Sequence, residues 1–271
     1  MKELLMKQSL TTEFLTYAVE LAKVAGEFAL KAQRGTLKIE SKTNEFDLVT
    51  HVDKYNEDLI REGVAKKYPS HIFLGEESGA SAEVGEIKWI VDPIDGTLNY
   101  AHGLPIWCIS IGIEVAGVIE CGIIFDPSRD ECFTTIRGEG SFLNGKAITV
   151  STQNDPKRSM YVTGFPYNIA EDPHNDIDRF GRFLRNGLIV RRLGSAALDL
   201  AYVAAGRFDA FYEGGLSAWD TAAGALMVRE AGGMTTHFNG APYSVYDKSI
   251  IATNGLQHQM LSEIINAVGH S

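Results

Sequence analysis

Asp92 and Asp95 stand three residues apart in the stretch Trp89-Ile-Val-Asp-Pro-Ile-Asp-Gly-Thr-Leu-Asn-Tyr100. Carboxylate oxygens are hard donors that suit Mg²⁺, an ion that keeps several waters and shares its shell with a substrate phosphate. Pro93 fixes its own φ, and Gly96 lets the backbone approach a ligand closely. Taken singly, these acids also read as ordinary turn and capping residues, because Asp-Pro and Asp-Gly are common turn dipeptides. Two further acidic sites accompany them: Glu76-Glu77 in Leu-Gly-Glu-Glu-Ser, and Asp220 in Trp-Asp-Thr-Ala-Ala-Gly. Adjacent acids in a loop are usually solvated, and Asp220 alone reads as the N-cap of a helix.

The chain has 271 residues and a formal net charge of −10. That balance argues against broad binding to nucleic acid or to an anionic membrane. It also means that a dianionic ester meets repulsion. Two unit charges 4 Å apart interact by about 1 kcal/mol in water and about 4 at an effective dielectric of 20. The acids therefore make sense as metal ligands, since two cations can activate a water, hold phosphate oxygens and stabilise a leaving alkoxide. Phosphate monoester hydrolysis demands roughly 20 kcal/mol of barrier reduction, nearly all of it from positioning and charge stabilisation.

The elements that must position these groups follow from periodicity. Thr12 to Gln33 reads as an amphipathic helix with Thr12 as N-cap and Gly35 as its stop. Thr50 to Lys67 reads as a second helix, with Thr50 as N-cap and Asp53 as a first-turn acid. Ile72 to Leu74 and Trp89 to Val91 read as short strands, and Ser78 to Glu86 as a mobile acidic tract. Cys108–Val115, Val118–Phe125 and Cys132–Arg137 predict an antiparallel meander, closing a first domain (1–151). The second domain (152–271) alternates strands and helices, which implies a layered α/β arrangement. No Gly-x-Gly-x-x-Gly opens a βα unit there, so a dinucleotide-binding oxidoreductase is a poor alternative. Three cysteines without zinc spacing fit reduced thiols and a cytoplasmic setting, and no apolar run is long enough to span a membrane.

From about Phe14 to Val268 the sequence resembles the inositol monophosphatase family, within the Mg²⁺-dependent, lithium-sensitive sugar-phosphate phosphatases. The resemblance implies a five-layer αβαβα sandwich, a homodimer, and two to three Mg²⁺ per site. It implies Glu76, Asp92 and the Ile94 carbonyl as ligands of a first ion. Asp92, Asp95 and Asp220 would hold a second, Glu76 would help with a third, and Glu77 would support Glu76 at the first. Asp47 of Asp-Leu-Val-Thr would accept a hydrogen bond from Thr97, and the pair would activate the attacking water. Gly96 and Thr97 would offer backbone N–H groups to the phosphate, while Asp95, Ala196 and Glu213 would meet the polyol. Read without that resemblance, Glu213 is a strand-end acid, Ser195 only a cap, and Asp209 structural. Arg191 and Arg192 suit either a larger substrate's phosphate or surface ion pairs. The expected activity is hydrolysis of inositol monophosphate. The alternatives are the same chemistry on NADP(H) or fructose-1,6-bisphosphate, and a catalytically silent sensor of metal and phospho-ligand.

Overall fold

The structure, a computed structural model, describes residues 2–35, 37–41, 48–166, 168–171 and 176–267. Helix α1 (Lys2–Gln33) opens the chain. It begins ten residues before the expected start, because the preceding Lys, Glu, Leu, Met and Gln residues are good helix formers with no breaker among them. Thr12 is therefore no N-cap. It lies inside α1 and donates its hydroxyl to the Gln8 carbonyl at 2.9 Å, the back-bond of a helix-interior threonine. Strands β1 (Ile39–Ser41) and β2 (Leu48–Thr50) pair antiparallel and lead into α2 (His51–Lys67). Thr50 caps α2 as expected, in a capping box with Asp53.

Next come β3 (Ile72–Gly75), β4 (Gly79–Ala80), β5 (Ile87–Asp95), the short α3 (Thr97–Ala101), β6 (Cys108–Val115) and β7 (Val118–Asp126). β8 (Glu131–Ile136), β9 (Gly140–Leu143) and β10 (Lys146–Ile148) complete a sheet of order β10-β9-β8-β7-β6-β5-β3-β4. From β5 to β10 the strands form the expected antiparallel meander. β3 and β5 instead run parallel, with Gly75 opposite Val91, so their carboxyl ends meet on one side of the sheet. The tract after Glu77 is partly ordered as the edge strand β4, where Ser81 takes the Phe73 N–H at 2.9 Å.

The remaining elements are β11 (Met160–Thr163), α4 (Asp176–Arg185), β12 (Ile189–Arg191), α5 (Ala196–Ala204) and β13 (Ala210–Gly214). α6 (Ala218–Glu230), β14 (Met234–Thr236), β15 (Ser249–Thr253) and α7 (His258–Asn266) follow. Their sheet runs β12-β11-β13-β15-β14, with β11, β12 and β13 parallel and β15 antiparallel to both neighbours.

The layers are α1 and α2, the larger sheet, α5 and α6, the smaller sheet, then α4 and α7. This is the five-layer αβαβα sandwich. The central core joins Ile90, Cys108 and Ile124 of one sheet to Leu200, Leu226 and Met227 of the middle helices and Phe211 and Ile250 of the other. α6 lies tightly on the larger sheet because its alanines face glycines. A Cβ on Gly112 would come within 2.6 Å of the Ala222 Cβ, and one on Gly122 within 2.8 Å of Ala223. That close seating brings the start of α6, and with it Asp220, over the end of β5.

Candidate active site

Along a regular strand, residues three apart face opposite sides. Asp92 pairs with Ser110 and Asp95 with Cys108, so β5 advances three residues while β6 advances two. This one-residue bulge turns Asp95 back onto the face that Asp92 occupies. Pro93, which has no N–H to donate, is at home in the irregularity. The sequence gives Trp89 to Val91 as the strand, with both acids projecting from its end. In the structure they belong to the strand, and pairing with β6 holds them rigidly.

Asp92 is buried and accepts the Ile94 N–H at 3.0 Å. Asp95 is also buried, and one of its oxygens accepts from Ser195 Oγ at 2.6 Å and from the Ala197 N–H at 2.8 Å. Burial pushes the Asp95 carboxyl above the usual carboxylate range, against the pull of those donors. Ser195 is therefore more than a cap: it makes no side-chain bond to its own helix. Asp220 is not the N-cap of α6. Ser217 holds that position, and Asp220 reaches back from the first turn to accept its N–H at 2.6 Å. Asp92, Asp95 and Asp220 each present an oxygen, and these lie within 4.8 Å of one another.

Glu76 follows β3 directly, its N–H on the Val91 carbonyl at 3.2 Å, so the parallel register sets it beside Asp92. Glu77 and Ser78 donate their backbone N–H groups to the two oxygens of Glu57, at 2.7 and 2.8 Å. Thr97 is buried at the start of α3, after Gly96 with φ of 97°. Its hydroxyl lies 2.8 Å from Asp53 Oδ1 and 3.0 Å from the carbonyl of Ile94, itself buried. Asp47, the partner expected for Thr97, lies outside the described residues, and Asp53 is an acceptor that the sequence reading missed. Asp53 serves its helix start too, taking the Thr50 N–H at 2.9 Å on its other oxygen.

Asp53, Asn56 and Glu57 sit at i, i+3 and i+4 on α2 and are all buried. Asn56 Nδ2 reaches the Pro93 carbonyl at 3.4 Å. One helix face therefore grips the β5–α3 turn and the turn after β3. Its sequence signal was present: polar residues interleaved at helical spacing with the buried Val52, Ile60 and Val64.

Asp95, Gly96, Ala196, Glu213 and Asp220 line one cavity of about 620 Å³, together with Arg192. Glu213 ends up on β13, where burial and then the charges of Asp220 and Asp95 push its carboxyl well up. Asp199 on α5 is fully buried, and burial raises it likewise, with Glu213 and Asp95 adding to the rise. Arg192 opposes both shifts and stands 5.6 Å from the Phe165 ring; it and Arg191 are both exposed. Asp209 is structural, accepting from Ser151 Oγ and from the Met160 N–H at 2.7 Å.

Gathering three carboxylates, two of them almost out of solvent, is costly unless a cation offsets their repulsion. An all-oxygen donor set beside an open cavity suits Mg²⁺ rather than a thiophilic metal. The residues fit the ion. Fold and site together define a layered α/β protein with three carboxylates gathered at the end of a bulged strand, a donor set that could hold a divalent cation.

The chain belongs to the inositol monophosphatase family, whose model matches residues 10–270. It is 38% identical over 257 residues to the Nus factor SuhB of Pasteurella multocida, covering 94% of this chain and 95% of that protein. An inositol monophosphatase structure from Anabaena superposes with a TM-score of 0.85 at 38% identity, covering 95% of this chain and 97% of that one. The extragenic suppressor protein suhB of Bartonella henselae gives a TM-score of 0.87 at 36% identity, covering 94% and 99%.

Proposed function

We propose that this protein is a Mg²⁺-dependent phosphatase that hydrolyses a small phosphate monoester to alcohol and phosphate, with inositol monophosphate as its first substrate. The observation that carries the reading is the convergence of Asp92, Asp95 and Asp220, with Asp95 and Asp220 lining the cavity and Thr97, two residues after Asp95, holding its buried hydroxyl on Asp53. Asp92, Asp95 and Asp220 would hold Mg²⁺, with Glu76 and the Ile94 carbonyl beside them. Bound there, the ions supply charge neutralisation and a water of lowered pKa.

The chain's own groups do the rest. Thr97, backed by the Asp53 carboxylate, orients a water through its hydroxyl and relays the proton that the water gives up. The Gly96 and Thr97 backbone N–H groups face the phosphate. α3 has only five residues, so positioned donors matter more there than a helix dipole. Asp95, locked by Ser195 and Ala197, and Glu213 accept from ring hydroxyls, and Ala196 offers a small apolar wall. Attack is direct and in line, with inversion at phosphorus. Inhibition by lithium and a homodimer belong to the same reading.

The test is phosphate release from inositol 1-phosphate, fructose-1,6-bisphosphate, NADP and 3′-phosphoadenosine 5′-phosphate, with Mg²⁺ and with chelator. Turnover of inositol phosphate above the others, abolished by chelator, supports the reading. Preference for another ester keeps the metal site and overturns the substrate. A second reading rests on the name Nus factor carried by the Pasteurella multocida relative, at 38% identity over nearly the whole chain. It takes the fold as a binding module, and a chain that binds Mn²⁺ but turns over none of these esters would favour it.

A further inference from the structure

We propose that Glu57 is a positioning residue that sets the Glu76–Glu77–Ser78 turn for cation binding, acting through the backbone without touching the cation or substrate. The inference rests on the cation site described above. Glu57 is 2% exposed, one helical turn after Asp53 on α2. Its two oxygens take two successive backbone N–H groups, those of Glu77 and Ser78. The Glu76 N–H is itself held by the Val91 carbonyl of β5. Glu76 is thus anchored on one side to the strand that carries Asp92, and on the other to the helix that carries Asp53. A charged acceptor with two oxygens makes both bonds stronger than neutral ones.

Gly75 belongs to the same device. A Cβ there would lie 2.4 Å from Glu57 Oε2, so a side chain at 75 would expel the carboxylate from its place. Gln at 57 keeps the volume, but it offers one oxygen and turns an NH₂ group toward the other N–H.

Mn²⁺ is the probe, with free ion followed by electron paramagnetic resonance and heat by calorimetry. The proteins are the full chain, E57Q, E57A, G75A and, as a control for stability on the same helix, I60V. We expect E57Q and G75A to weaken Mn²⁺ binding about 10–100-fold, the range for partners that orient metal ligands. The Mg²⁺ concentration for half-maximal phosphate release should rise by a similar factor, while kcat at saturating Mg²⁺ falls much less. I60V should bind Mn²⁺ like the parent. Unchanged Mn²⁺ affinity in E57Q and G75A would overturn the proposal, as would equal weakening in I60V. If E57A fails to fold, E57Q and G75A carry the test, and unfolding of both would overturn it by assigning the carboxylate to the fold. Weakened Mn²⁺ binding in a chain without phosphatase activity would leave this inference standing and remove the proposed function. Turnover with unaltered binding would do the reverse.

Discussion

Replacing Thr97 by valine exchanges a hydroxyl for a methyl of nearly the same shape. Thr97 is 5% exposed, and its hydroxyl lies against two acceptors, Asp53 Oδ1 at 2.8 Å and the Ile94 carbonyl at 3.0 Å. In T97V both buried acceptors face a methyl instead. A hydrogen bond to a charged partner is worth about 1.5–3 kcal/mol, so the variant should lose about that much stability. For a chain somewhat above 250 residues, each kcal/mol shifts the melting temperature by roughly 2–4 °C. T97V should therefore melt about 3–12 °C lower and remain folded at room temperature. T97S keeps the hydroxyl and loses one methyl, a change of about 1 kcal/mol. Phosphate release at saturating Mg²⁺ separates packing from chemistry. T97V should lose about 10²–10⁴ in kcat, the usual worth of a positioned proton acceptor, while T97S keeps most of its activity. Equal kcat in T97V and T97S would refute the role of the hydroxyl. A T97V protein as stable as T97S would refute the bond to Asp53.

Three more outcomes are expected. D95N keeps an oxygen for Ser195 and Ala197, so its melting temperature should stay near the parent's while turnover falls at least about 10²-fold; an active D95N would remove Asp95 from the cation site. G96A puts a Cβ at φ 97° and 2.9 Å from the Ile106 carbonyl, so denaturant unfolding should show a loss above about 2 kcal/mol, and unchanged stability would contradict the left-handed turn. The third concerns pH. Burial lowers the pKa of His71, whose Nδ1 accepts the Trp89 indole N–H at 3.0 Å. Because the folded state disfavours the proton, the contribution is fully present above the unfolded value of about 6.5 and is lost as pH falls through the lowered one. Melting temperature should drop between pH 7 and 5, and H71N, which keeps an acceptor but cannot titrate, should flatten that slope; an unchanged slope would rule His71 out.

Much of the architecture was legible because it is local. The capping box of Thr50 and Asp53, the turn at Ala116–Gly117 and the strand alternation after Cys108 each depend on neighbours within a few residues. Tyr100 is different: its buried hydroxyl donates to the Ala29 carbonyl at 2.8 Å, 71 residues away, a partner no local reading supplies.

The candidate ligands were visible as residue types, since only carboxylates in such surroundings suit a hard cation. Residue types alone did not bring them together; only the resemblance to the inositol monophosphatase family implied that they converge. Asp92 and Asp95 share a face because β6 imposes a bulge on β5. Asp220 joins them because alanines of α6 seat against Gly112 and Gly122. Asp53 reads as the first-turn acid of a helix, and Glu57 carries no signal of its own, until α2 packs against both site turns. Ser195 turns from a cap into a donor to Asp95, 100 residues away. Chemistry at one position is set by side-chain type and nearest neighbours, which a sequence carries explicitly. Which oxygen meets which donor depends on strand register and on how closely the layers pack, and only the folded chain decides these.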